Sequence, residues 1–238
     1  MSLLESTVGG VAAADLDACT FFDAIGFDFA EDGWQTVAAA CDAHDVDPSW
    51  VESELHRRGL GARCDPCDLS WGDIDRITSR VVSSHHASLR AGITLVGECL
   101  LRLAAKADAE AVCGETADRF SRLAAVLATH FDKEENILFP AFNALAESRR
   151  HGTPVPSLPF PTVLYPIRVM EAEHERVECE LGWLLATGAN SCAELQSTAA
   201  WMECQAALNQ LGRRLRAHAR FENDWLFPRA LELERSLS

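Results

Sequence analysis

"HFDKEENILFP", His130–Pro140, sets a histidine and, four residues on, a glutamate ahead of an apolar run closed by proline. The chain repeats the phrase as "HARFENDWLFP", His218–Pro228, with His, Glu, Leu, Phe and Pro at the same offsets 88 residues later. Burial on a helix recurs every three or four residues along one face. With that period the first copy completes a stripe of Phe120, Leu123, Leu127, His130, Glu134 and Ile137. The second completes a stripe of Leu208, Leu211, Leu215, His218, Glu222 and Trp225. In each copy a His and a Glu stand inside an apolar stripe, where solvated residues do not belong.

Two more stripes share the 88-residue offset. One runs Val82, His86, Leu89, Ile93, Val96; the other runs Met170, His174, Val177, Leu181, Leu184. Successive histidines of the set His86, His130, His174 and His218 are each 44 residues apart. The same phase selects His86 over its neighbour His85, whose stripe of Thr78, Val81, Ser88 and Gly92 is mostly polar.

Long helical patterns cover roughly 73–107, 114–146, 163–186 and 193–235, and no alternating β pattern stands out. The Pro-rich stretch 147–166 rules out a continuous helix there, and 186–194 forms a shorter break. These patterns predict an all-α protein with an antiparallel four-helix bundle over residues 67–238, preceded by a small helical domain over 1–66. Within the latter, "DVDPSWVESEL" reads as a helix start, with Asp47 as the N-cap and Pro48 at the first helical position. "GLGARCDPCDLSW", 59–71, reads as a linker.

A single inward histidine is usually a core residue. Two copies of His-xxx-Glu with two phased histidines are a different matter. Two buried carboxylates without counter-charge cost several kcal/mol each. Divalent cations remove that cost, and neutral imidazoles fill further positions around them. Spacing of i,i+4 sets His and Glu on adjacent turns of one face, within reach of a shared centre.

Composition narrows the partners. The net charge is −15, and residues 1–66 hold −10 of it. Such a surface repels phosphate backbones and anionic lipid, so no nucleic acid and no membrane is expected as a partner. No run of 18 apolar residues occurs, the first residues make a poor signal peptide, and the nine scattered cysteines read as reduced thiols. The expected location is cytoplasmic. Cys99, Cys113, Cys179 and Cys204 read as small core residues. Cys64 and Cys67 form a CxxC in the linker, readable as a redox pair, as metal ligands or as two surface thiols.

"HHASLR", "HFDKEENILFP", "EAEHERVE" and "HARFENDWLFP" together resemble a hemerythrin-type (HHE) cation-binding domain over about residues 73–232. The resemblance implies a four-helix bundle holding two non-haem iron ions, an oxo- or hydroxo-bridged di-iron centre. His86, His130, His174 and His218 would then be terminal ligands and Glu134 and Glu222 bridging carboxylates. Glu173, beside His174, is the candidate carboxylate behind the ligands. Glu135 reads as a solvated helix-face residue. Zn or Mn is also compatible with this donor set.

The stretch from Phe21 to Leu55 is similar to the N-terminal domain of the di-iron iron–sulfur cluster repair (repair of iron centres) family. That family carries Cys-Cys-Gly-Gly after "DF"; here the slot reads Ala30-Glu31-Asp32-Gly33, without either cysteine. The resemblance implies repair of clusters damaged by nitric oxide or oxidative stress, by iron donation or by NO chemistry, with damaged iron–sulfur proteins as partners. The alternatives are binding, storage or sensing of O2 or NO, and breakdown of peroxide, so enzymatic status stays open. With two histidines and two bridging oxygens per iron, positions remain open for such small ligands.

Overall fold

The computed structural model describes residues 2–60, 73–105, 110–189 and 198–237. Linker residues 61–71, Cys64 and Cys67 among them, lie outside the described residues, as does the Cys113 side chain. Among the described residues there are helices and no strand, with a single β-bridge between Thr7 and Thr36.

The bundle follows the four long patterns. Helix α6 (Ile74–Arg80) passes through a π-helical turn, Val81–His86, into α7 (Ala87–Ala104). Helix α8 (Glu110–Lys133) passes through a second π turn, Glu134–Leu138, into α9 (Phe139–His151). Helix α10 spans Leu164–Ala189. Helix α11 (Ala199–Phe221) passes through a third π turn, Glu222–Leu226, into α12 (Phe227–Arg235). Cross-helix pairs link neighbours along α7–α8–α10–α11, and α10 runs antiparallel to the last bundle helix, since His174 meets Asn223 while Glu178 meets Arg216. Arg90 meets Glu135, Arg119 meets Glu180, and Glu178 meets Arg216. The apolar stripes form the interior: Leu89, Val96, Leu123, Leu127, Leu181, Leu184, Leu211 and Leu215 are all buried. Each such side chain contributes about 1.5–3 kcal/mol relative to exposure.

Both "LFP" phrases begin on the last residue of a π turn, which explains why neither proline stops its helix. Proline lacks an N–H, and its ring collides with the carbonyl four residues back. The wider turn hands the Phe139 N–H to the Glu134 carbonyl and the Phe227 N–H to the Glu222 carbonyl, so the chain carries on through Pro140 and Pro228. The added residue also shifts the stripe. Leu138 turns inward and Ile137 is 47% exposed, against the inward Ile137 that an unbroken 3.6 period predicts. Helix α9 runs to His151, past the predicted end at 146, because the first helix-breaking residue is Gly152 at φ +62°.

The N-terminal residues fold as α1 (Val8–Ala14), α2 (Leu16–Ala24), α3 (Phe29–Asp32), α4 (Val37–Ala43) and α5 (Pro48–Arg57). Asp47 caps α5 by accepting from the Ser49 N–H at 2.9 Å, as its sequence predicts. The pattern gave no warning of α1, "VGGVAAA", which is buried on every side. Its small residues admit a close neighbour. The Trp225 indole occupies the space that a Cβ would need at Gly9 and at Gly33. Helix α2 lies on α11, where the Cys19 thiol donates to the Ala217 carbonyl and Asp17 pairs with Arg214. The Arg229 guanidinium stacks 3.6 Å over Trp34. The apolar core is continuous from these helices into the bundle. No helix among the described residues is long and apolar enough to cross a membrane.

Candidate metal centre

The π turns carry the chemistry. Glu134 and Glu222 are the first residues of their turns, each one helical turn beyond a histidine. Ligand-capable atoms of His130, Glu134, His174, His218 and Glu222 all lie within 4.8 Å of one another, and all five residues are buried. His86 joins at one side, with its Nε2 3.2 Å from Glu134 Oε2. The six residues that the repeat singles out therefore converge on one buried spot in the bundle.

Their contacts do not satisfy one another. His130 Nε2 stands 3.2 Å from Glu134 Oε1, and His174 Nε2 stands 3.3 Å from Glu222 Oε2. These distances allow charge attraction. Even so, both oxygens of Glu134, both oxygens of Glu222, and Nε2 of His86 and of His218 make no hydrogen bond among the described residues. His130 Nε2 and His174 Nε2 are 3.1 Å apart. The carboxylate oxygens of Glu134 and Glu222 and the Nε2 atoms of His86 and His218 thus lack partners among the described residues, at a burial where an unmatched polar atom is costly. A cation fits this set. Imidazole nitrogens and carboxylate oxygens suit first-row transition metals, iron among them.

The other ring nitrogens are held from behind, in a pattern that repeats with the 88-residue offset. The residue after each glutamate serves one pair of histidines. Glu135 Oε1 is 2.6 Å from His86 Nδ1, and Asn223 Oδ1 is 2.9 Å from His174 Nδ1. The residue before each of those histidines serves the other pair. Glu173 Oε2 is 3.0 Å from His130 Nδ1, and His85 Nδ1 is 3.4 Å from His218 Nδ1. The oxygens of Glu135, Glu173 and Asn223 accept the Nδ1 hydrogen of His86, His130 and His174 and leave their Nε2 atoms for the centre.

Three sequence readings change here. Glu135 is not a solvated residue; it accepts from His86 and from Arg90, the latter at 2.8 Å. His85 does not face outward. The π turn adds a residue to its helical turn, so His85 and His86 are both fully buried. Cys179 is exposed, whereas Cys99 and Cys204 are buried. Asn223 and Lys133 went unnoticed in the sequence; Lys133 Nζ donates to Glu173. Asn223 had a signal, because it is Glu135 plus 88.

Electrostatics split the two glutamates. Burial opposes ionisation of Glu134, but His130, His86 and His218 outweigh it and hold that carboxyl well below its usual range. Glu222 is pushed well above its usual range by burial and by the charge of Glu134. Burial lowers His130, yet Glu134 and Glu173 prevail and raise it. Burial drives His174 and His85 each down to about 4 and holds His218 well below its ordinary value. The side chains alone therefore balance charge with protons, and a divalent cation would compete for the same positions.

A cavity of about 600 Å³ reaches the centre between α8, α10 and α11. His130, His174 and His218 form its inner end, Leu127, Val177 and Leu215 its apolar wall, and Glu178, Arg216 and Arg220 lie toward solvent.

Comparison with known proteins agrees with this geometry. The family described as Hemerythrin HHE cation binding domain matches residues 78–230. The chain is 26% identical to "Iron-sulfur cluster repair protein YtfE" of Citrobacter koseri, over 97% of this chain and 99% of that protein. It is 25% identical to the proteins of the same name in Escherichia coli and Escherichia fergusonii, again over 97% of this chain and 99% of each relative. The repeated His-xxx-Glu helices, their buried donor cluster and the match over most of the chain make this protein a member of the hemerythrin HHE cation-binding domain family.

Proposed function

We propose that the protein binds two iron ions through His86, His130, Glu134, His174, His218 and Glu222 and serves in repair of iron–sulfur clusters damaged by nitric oxide or oxidants. The observation that carries the metal reading is the set of four buried carboxylate oxygens of Glu134 and Glu222, left without hydrogen bonds and faced by imidazole nitrogens. The near full-length similarity to proteins named for cluster repair supports the biological role. When bound, iron supplies one-electron chemistry and affinity for small ligands such as NO, O2 or peroxide. The chain's own residues do the rest. Glu134 and Glu222 provide negative charge in a dry site. Glu135, Glu173 and Asn223 fix the ring orientation of their histidines, and Leu127, Val177 and Leu215 give the cavity an apolar wall. Damaged iron–sulfur proteins are the proposed partners, in a cytoplasmic setting.

Two measurements test this. Anaerobically purified protein should contain two irons per chain, and His130→Ala and Glu222→Ala should lose them. Cells lacking the gene should recover an iron–sulfur enzyme more slowly after NO exposure; recovery at the wild-type rate would sink the repair role.

A second reading has its own support. Residues 30–33 present no cysteine, and the apolar cavity suits a diatomic gas. On that reading the protein stores or senses NO or O2. Mixing reduced protein with O2 separates the two, since a stable and reversible optical change favours gas binding and rapid irreversible oxidation opposes it.

A further inference from the structure

We infer that His85 is a positioning residue of the centre, a neutral ring anchored on the Ala12 carbonyl of α1 that holds His218 with its Nε2 turned toward the carboxylates. The inference rests on the metal-binding reading above and deepens it.

Proton accounting carries the argument. His85 Nε2 lies 2.8 Å from the Ala12 carbonyl oxygen, an atom that can only accept. The His85 Nε2 must therefore carry the hydrogen and donate it. His85 is fully buried against the Phe221 ring and a peptide carbonyl, where an unpaired charge is costly, so its ring is neutral with one N–H and its Nδ1 is left as an acceptor. Its neighbour is His218 Nδ1 at 3.4 Å, a long contact in which His218 has to be the donor. With its proton on Nδ1, His218 keeps a lone pair on Nε2. That atom has no hydrogen-bond partner among the described residues and belongs to the donor cluster. The chain Ala12 carbonyl, His85, His218 thus links a helix outside the bundle to the metal-facing nitrogen.

The internal repeat supports the assignment independently. His85 plus 88 is Glu173, and His218 minus 88 is His130. Glu173 does for His130 what His85 does for His218, but the two halves differ in charge. Glu173 is a carboxylate backed by Lys133, whereas His85 is an imidazole backed by a peptide carbonyl. An anionic partner makes its histidine a stronger donor than a neutral partner does. The His218 half is therefore the weaker-binding side of the centre, and it is the half whose orientation depends on α1.

Replacement of His85 by Phe gives the direct test. The ring still packs against Phe221, and the Ala12 carbonyl keeps the Asp15 N–H, so no buried acceptor is stranded. The full chain, stripped of metal, is read by long-range 15N–1H correlation of the imidazoles. Wild-type His218 should appear as the Nδ1–H form. In H85F that preference should disappear, and Zn(II) affinity at the weaker site should fall about 10- to 100-fold in chelator competition. His85→Asn, which presents an amide oxygen where Nδ1 stood, should restore the Nδ1–H form. Unchanged His218 tautomer and unchanged Zn(II) affinity in H85F overturn the inference, as does a folded H85N protein whose His218 leaves the Nδ1–H form. The tautomer is measured without metal, so a wild-type chain that takes up no metal defeats the metal reading while the His85 result still stands or falls by itself.

Discussion

Glu134 and Glu222 occupy equivalent positions in the two halves of the bundle, both fully buried, yet they sit at opposite ends of the proton scale. Histidines hold Glu134 ionised, and burial beside that charge keeps Glu222 protonated. The histidines offset one buried anion, and a second beside it has no counter-charge without a cation.

Metal uptake should consequently release protons. His130 is raised and Glu222 is raised well above its ordinary value, so both contribute protons that a cation displaces. Titrating chelated protein with Zn(II) or Fe(II) in weakly buffered solution near pH 7 should acidify the sample, and Glu222→Gln should reduce the release. No proton release would contradict the charge assignment.

The two glutamates should also respond differently to neutral replacement. In chelated protein, Glu134→Gln removes the anion beside a raised His130 and should cost about 3–5 kcal/mol, the usual penalty for breaking a buried pair. Glu222→Gln swaps a protonated carboxyl for a neutral amide and should stay within about 1 kcal/mol. Urea unfolding measures both, and equal losses would show that the carboxyls share charge evenly.

Acid sensitivity has a defined share from His85. Its folded pKa is depressed to about 4 from an ordinary 6.5. A histidine kept neutral by burial stabilises the fold above pH 6.5 and loses that contribution as pH falls from 6.5 through about 4. Across that window the stability of chelated wild type should fall more steeply than that of H85F, by up to about 1.4 kcal/mol per pH unit. Parallel curves would mean that His85 becomes charged in the fold without penalty.

Gly33 gives a test away from the centre. A methyl group there would run into the Trp225 indole and the Phe29 carbonyl. Gly33→Ala should lower stability by about 1–3 kcal/mol, as overpacking does. Guanidinium unfolding followed by tryptophan fluorescence would show it. A neutral result would mean that the N-terminal helices shift on the bundle at little cost.

The 88-residue echo by itself determined the helical class, the four bundle helices and the six residues that meet at the centre. A helix period projects directly onto one face, so polar residues caught in an apolar stripe are visible without coordinates. The sequence also carried Glu173 with its counterpart His85, and Glu135 with its counterpart Asn223, all at the same offset, although an unbroken helix period turns His85 and Glu135 outward and gives Asn223 no notice. Tertiary structure alone decided their roles. Three π turns break the 3.6 period where the centre forms, so phase counting misplaced His85 and Ile137. The small residues of α1 gain meaning only once Trp225 is packed between Gly9 and Gly33. The tie from Ala12 to His85 joins residues 73 positions apart, a proximity that no local pattern encodes because packing of α1 against the bundle creates it.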